Sequence, residues 1–203
     1  MVEPRVFCVG RNYADHAREM GASGREAPFF FMKPATALFH GDTLPYPPDT
    51  ADLHHEVELV ILIGRGGAGI AASEALSHVA GYGVGIDLTK RDRQAELKEK
   101  GQPWERAKAF DHSAPLSAIA PATAHPSAGF IRLSINGAIR QNGDLNQMIW
   151  KPSEIIAELS QIWTLRAGDL IFTGTPAGVG PLLRGDQASA EIEGVGRLEL
   201  RVA

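Results

Sequence analysis

An α+β, mostly β fold is what this sequence predicts, and three observations predict it. Gly and Pro occur 22 and 13 times and punctuate the whole chain. Short runs rich in β-branched residues lie between them, which is the pattern of strands bounded by turns. Helical patterns are fewer and do not alternate regularly with the strands, which argues against a doubly wound sheet or a TIM barrel.

The elements follow in order. Residues 5–9 form the first expected strand, an apolar run after Pro4. Residues 13–20 carry a helical pattern, with Asn12 as its N-cap. Residues 56–63 give the longest apolar strand pattern. The glycine-rich stretch from Gly64 to Gly69 reads as a flexible connection. Residues 73–79 predict a helix capped by Ser73 and followed by Gly81. Residues 81–87 predict a strand, and residues 92–100 a polar, exposed helix ending at Gly101. Residues 130–135 predict another strand. In residues 152–159, Pro152 and Ser153 open a helix, and Ile155, Ile156 and Leu159 fall at helical spacing. Strands at 169–173, 189–192 and 197–202 complete the chain. There is no internal repeat, low-complexity tract or linker, so residues 1–203 read as one domain.

Composition narrows the function class. Hydrophobic residues make up 44% of 203, the content of a chain that buries a core and not of a disordered one. The net charge is −4, and the densest basic stretch, Lys90 to Arg93, already contains Asp92, so no nucleic-acid partner is expected. Cys8 is the single cysteine and lies in an apolar run, which predicts a buried, inert thiol and no intrachain disulfide. No signal peptide is evident, and the longest apolar run, Leu59 to Ile63, is too short to span a bilayer. A cytoplasmic protein with no membrane partner is the expectation.

The strongest chemical signal is HHEVEL at 54–59. In a strand, Glu56 and Glu58 point to the same face. Neighbouring carboxylates repel, and a divalent cation offsets that repulsion; oxygen ligands suit Mg²⁺ or Mn²⁺. The alternative is a solvated edge strand with two surface glutamates. It is not a zincin site, because position 59 is Leu where a second His is needed. Asp87, at a strand end, is either a helix N-cap or a third carboxylate ligand. His16 and Glu19 share one face of the first helix, the arrangement of a base oriented by a carboxylate, or of a surface pair. Lys33 follows an aromatic run and Lys108 follows Trp104; such cations either snorkel or bind an anion. Arg91 and Gln94, one turn apart, either hold a substrate carboxylate or belong to a solvated helix face. The glycine-rich stretch from Gly174 to Gly180 lacks the ending of a phosphate loop, yet permits close backbone approach to a ligand around Thr175.

Taken together, GRNYADHAREM (10–20), FMKP (31–34), HHEVEL (54–59), GIDLT (85–89), AKAFD (107–111) and TGTPAGVG (173–180) resemble the signature blocks of the fumarylacetoacetate hydrolase family, in the family's order. The resemblance implies a mixed β-roll, or sandwich, of the family's C-terminal catalytic type with short flanking helices, usually a homodimer. It implies Mg²⁺ or Mn²⁺ held by Glu56, Glu58 and Asp87. It implies a His16–Glu19 dyad on a lid, Lys108 as a further catalytic group, and Arg91, Gln94 and Thr175 against a small oxo-acid substrate, with Lys33 nearby. FFFMKP (29–34), KAFDHSAP (108–115) and GDLNQMIW (143–150) look most like the bacterial fumarylpyruvate hydrolases of gentisate breakdown. Oxaloacetate decarboxylases and isomerases or decarboxylases of dienoic oxo-acids are the alternative activities. Arg11, Arg25 and Lys33 are the candidates for a second substrate carboxylate.

Overall fold

The computed structural model describes residues 3–13 and 26–203, and all that follows concerns these residues. The principal elements are β1 (Val6–Gly10), β2 (Phe29–Lys33), β3 (Leu53–His55), β4 (Val57–Ile63), β5 (Val79–Ile86), α1 (Arg91–Glu99), α2 (Glu105–Lys108), β6 (Phe130–Ile135), β7 (Ala138–Asp144), α3 (Pro152–Ile162), β8 (Leu170–Phe172), β9 (Gln187–Ile192) and β10 (Gly196–Val202).

Two sheets dominate. The first has the order Ala120–Pro121, β5, β4, β8, β1, β2, with β1 parallel to β8 and the other pairings antiparallel. The second has the order β7, β6, β9, β10, Thr43–Leu44, and only its last pairing is parallel. Strands β6, β9 and β10 of the second sheet alternate between buried and more exposed residues. Their inner residues Ile131, Leu133, Ala190 and Leu198 share one core with Leu59, Ile61 and Tyr82 of the first sheet. Strand β4 is buried on both faces because a second cluster, including Val6, Cys8, Val60 and Phe172, covers its other side. This explains why its sequence is continuously apolar and not alternating. The architecture is the mostly β one that the turn-punctuated sequence predicts.

Some expectations need correction. The pattern at 73–79 gives only a 3₁₀ turn, Ala75–His78, and Ser73 does not cap it; Glu74 holds the N-cap position without a side-chain bond. The stretch from Gly64 to Gly69 is pinned: Gly67 and Leu165 exchange backbone hydrogen bonds of 3.1 and 2.8 Å, and Gly69 N–H donates to Ser160 O at 2.8 Å. Helix α1 is not fully exposed, since Gln94 and Leu97 are buried. Helix α3 runs to Ile162, beyond the expected end, and buries Ile155, Ile156 and Leu159 as expected. Asn12 cross-links segments: its amide donates to Thr173 O at 2.7 Å and to Trp150 O at 2.9 Å. The helix expected at 13–20 lies largely outside the described residues.

Strands β2, β3 and β7 were not expected. Strand β7 is polar, so its composition hides it, but Asn136 and Gly137 have φ of 52° and 80°. Two consecutive left-handed residues make the two-residue hairpin turn that joins β6 to β7, and Asn-Gly is its strongest local signal.

Candidate metal centre

Glu56 occupies the break between β3 and β4. Strand β3 pairs with Thr89–Lys90 and Gly180–Pro181, whereas β4 pairs with β5 and β8. The residue is therefore not within a continuous strand, contrary to the expectation of a 56–63 run. Its carbonyl accepts from Asp87 N–H at 2.8 Å, which draws the two ligand-bearing turns together. Glu58 lies in β4 opposite Gly85, two residues before Asp87. The register thus brings all three carboxylates to one point: ligand oxygens of Glu56, Glu58 and Asp87 lie within 4.8 Å of one another, and all three residues are buried. The helix-cap reading of Asp87 is not what forms; Lys90 is the N-cap of α1.

Buried charge of this density demands compensation. Lys108 Nζ donates to Glu56 Oε2 at 2.8 Å, Asp87 Oδ2 at 2.6 Å and Thr89 Oγ1 at 2.6 Å, using all three ammonium hydrogens. Arg91 Nη2 donates to Glu56 Oε1 at 2.6 Å. Burial alone pushes the Glu56 carboxyl up, but Lys108 and Arg91 outweigh it and hold Glu56 well below the ordinary carboxylate range. Burial lowers the Lys108 ammonium, and Asp87 with Glu56 overcomes that and raises it. Glu58 is different. It has the Gly174 N–H at 2.8 Å but no ion pair among the described residues. Burial, then the charges of Asp87 and Glu56, push its carboxyl well up. Asp87 Oδ1 is buried, lies 2.8 Å from Lys33 Nζ, and has no aligned hydrogen bond. Three hard oxygen donors within reach of one point, with Glu58 lacking an ion pair among the described residues, fit a divalent cation such as Mg²⁺ or Mn²⁺.

The carboxylates face a pocket also lined by Arg11, Phe29, Phe31, Arg91, Gln94, Trp104, Lys108 and Thr175. Of a guanidinium's five N–H donors, Arg91 commits three, to Glu56, to Gln94 Oε1 at 2.6 Å and to His54 Nδ1 at 3.3 Å. Because Gln94 accepts through Oε1, its amide nitrogen is left as a donor. Beside the carboxylates the pocket lining therefore offers N–H groups from Arg91 and Gln94, which suits an anion. Lys33 does not line this pocket. It is buried behind Asp87, donating to Ser113 Oγ at 3.1 Å and to the Lys108 carbonyl. His16, Glu19 and Arg25 lie outside the described residues. Cys8 is buried as expected, and burial with the nearby Asp87 charge raises its thiol well above the usual value.

Two partners of the site have no role that the sequence points to, although Thr89 closes the GIDLT block. Thr89 accepts from Lys108, and only the Asp87 turn brings it there. Gln141 reaches in from β7 of the other sheet, donating to Thr175 Oγ1 at 2.8 Å. The Asn-Gly turn at 136–137 is the one available clue to the strand that carries it.

The family model for the fumarylacetoacetate (FAA) hydrolase C-terminal domain matches residues 5–203. The chain is 47% identical over 194 residues to oxaloacetate tautomerase YcgM of Escherichia coli, covering 94% of this chain and 89% of that protein. The solved structure of fumarylpyruvate hydrolase from Pseudomonas aeruginosa, in complex with Mn²⁺ and pyruvate, superposes with a TM-score of 0.95 at 48% identity, covering 98% of this chain and 89% of that one. A 5-carboxymethyl-2-hydroxymuconate delta-isomerase from Mycobacterium smegmatis superposes with a TM-score of 0.87 at 37% identity, covering 100% and 80%.

Proposed function

This chain belongs to the fumarylacetoacetate hydrolase family, and from that premise we propose that it is a metal-dependent hydrolase of a 2,4-dioxo acid, with fumarylpyruvate and water giving fumarate and pyruvate. The observation that carries the proposal is the convergence of buried Glu56, Glu58 and Asp87 on a pocket that Arg91, Gln94 and Thr175 also line. The relative bound to Mn²⁺ and pyruvate supports it, because pyruvate is the product that such a cleavage leaves. Mg²⁺ or Mn²⁺ held by the three carboxylates would supply Lewis-acid stabilisation of enolate charge. The uncommitted donors of Arg91 and Gln94, together with Thr175, bind the carboxylate and oxo end. Arg11, on the pocket rim, takes a distal carboxylate. Lys33 lends its charge from behind Asp87 rather than touching substrate. Lys108 must exchange one of its three present partners before it stabilises an oxyanion. His16, oriented by Glu19, takes the proton from the attacking water, which adds to the distal carbonyl; the C3–C4 bond then breaks, and the enolate takes up a proton to become pyruvate. A cytoplasmic homodimer completes the proposal.

A second reading, tautomerisation of oxaloacetate, is favoured by the 47% identity to the Escherichia coli tautomerase. It needs proton transfer but no water attack. The deciding assay follows loss of fumarylpyruvate absorbance, with EDTA and with added Mg²⁺ or Mn²⁺, beside oxaloacetate enol–keto exchange and carbon dioxide release. Metal-dependent cleavage of fumarylpyruvate, abolished in His16→Ala while Mn²⁺ still binds, is expected. Exchange of oxaloacetate without fumarylpyruvate cleavage would replace hydrolysis by the second reading. An active His16→Ala enzyme would remove the dyad.

A further inference from the structure

Gln141 is fully buried on β7, in the sheet that does not carry the carboxylates. It nevertheless makes four hydrogen bonds to the segments that flank the site. Val57 N–H, immediately after Glu56, donates to its Oε1 at 3.1 Å. Its Nε2 donates to the Pro176 carbonyl at 2.9 Å. A backbone N–H can only donate and a carbonyl can only accept, so these two contacts fix which end of the amide is which. The other two contacts then have a defined polarity. His55 Nδ1 donates to Oε1 at 2.9 Å, and Nε2 donates to Thr175 Oγ1 at 2.8 Å.

The last contact has a chemical consequence. Thr175 accepts from Gln141, and no described residue accepts its hydroxyl proton. The side chain is 2% exposed and borders the pocket with Glu58, Arg91 and Gln94. A hydroxyl that accepts from an N–H turns its own proton away from that amide, and here the residue borders the pocket. We propose that Gln141 is a positioning residue for this site: it commits the Thr175 hydroxyl to donate to an anionic substrate oxygen and ties that donor in register with Glu56. The inference rests on the oxo-acid reading of the pocket. It also accounts for Gly178, where φ is +92° and a Cβ would lie 2.2 Å from Arg140 O. Only a glycine lets the 174–180 loop close onto β7 beside Gln141.

The test uses pyruvate as the probe on Mn²⁺-loaded protein, read by calorimetry, with Mn²⁺ affinity read separately by electron paramagnetic resonance. Thr175→Val removes the donor at constant shape, and Gln141→Met removes its orienting partner. Each is expected to weaken pyruvate binding by about tenfold or more, the loss of a hydrogen bond to a charged group, with Mn²⁺ affinity retained. Thr175→Ser is expected to restore binding. The double variant is expected to bind no more weakly than the weaker single, because both remove one interaction. Additive losses, or pyruvate binding unchanged in Thr175→Val, would overturn the proposal, as would failure of the wild-type protein to bind pyruvate at all. Should Gln141→Met not fold, Gln141→Glu decides: it keeps the length but has no donor, and wild-type pyruvate affinity there would overturn the proposal. Coupled loss of pyruvate binding without fumarylpyruvate turnover would leave this inference standing and the hydrolase reading fallen. Fast turnover with an indifferent Thr175→Val would do the reverse.

Discussion

Glu58 and Glu56 show how one chemical group acquires opposite properties from its surroundings. Glu56 has Lys108 and Arg91 against it and is held low, whereas Glu58 has only a backbone N–H and is pushed up by burial and by its carboxylate neighbours. The sign follows for pH. With its folded-state pKa above the unfolded one, Glu58 stabilises the metal-free fold fully below the ordinary carboxylate range, and that contribution is lost as pH rises through the raised value. A cation at the site has to displace the same proton. Mn²⁺ affinity should therefore climb with pH across this window and then level. In Glu58→Gln the climb should flatten and affinity should fall; a pH series of calorimetric titrations on both proteins checks this. Neighbouring Glu56 contributes in the other direction, with stability lost only as pH falls through its depressed value.

Among the elements, the β6–β7 hairpin illustrates a cost confined to the backbone. Gly137 has φ of +80°, and nothing lies within 4 Å of the place a Cβ would take, so a side chain there meets strain and no clash. Gly137→Val should destabilise the protein by about 1–2 kcal/mol, the cost of a left-handed L-residue. The midpoint of thermal unfolding should fall by about 2–4 °C per kcal/mol for a chain of this size. Gly178 carries the same kind of φ but also a steric demand, since its Cβ would meet the Arg140 carbonyl. Gly178→Ala should lower the midpoint further and, unlike Gly137→Val, should weaken pyruvate binding by lifting Thr175 away from Gln141.

At the scale of the molecule, the first strand is fixed to the distant 164–170 segment. Arg5 clasps Asp169 through two contacts of 2.6 and 3.0 Å and reaches Thr164 O at 2.8 Å. Asp169 is nearly fully buried, so removing Arg5 strands a carboxylate that retains only the Arg166 N–H at 2.7 Å. Arg5→Ala should cost about 1–3 kcal/mol, the penalty of leaving a buried polar group short of a partner, measured as a lower urea midpoint. An unchanged midpoint would show that water reaches Asp169. None of the described helices is long and apolar enough to cross a membrane, in keeping with the short apolar runs of the sequence.

By itself the sequence determined the mostly β class, the strands at 130–135 and around 57–63, the helix beginning at Pro152, and Glu56 and Glu58 as a candidate carboxylate pair; Asp87 joined them only through the family resemblance. These are local matters: periodicity, turn residues and the chemistry of a short motif. Only the tertiary structure decided that Lys33 stands behind Asp87 while Arg91 faces the pocket, since both are equally cationic on paper. Only it revealed that Lys108 is saturated by Glu56, Asp87 and Thr89. Gln141 belongs to the same class. It is 84 residues from Val57 and 34 from Thr175. No spacing rule spans those distances, because the contact exists only once two sheets have packed and an Asn-Gly turn has brought a polar strand over a buried site.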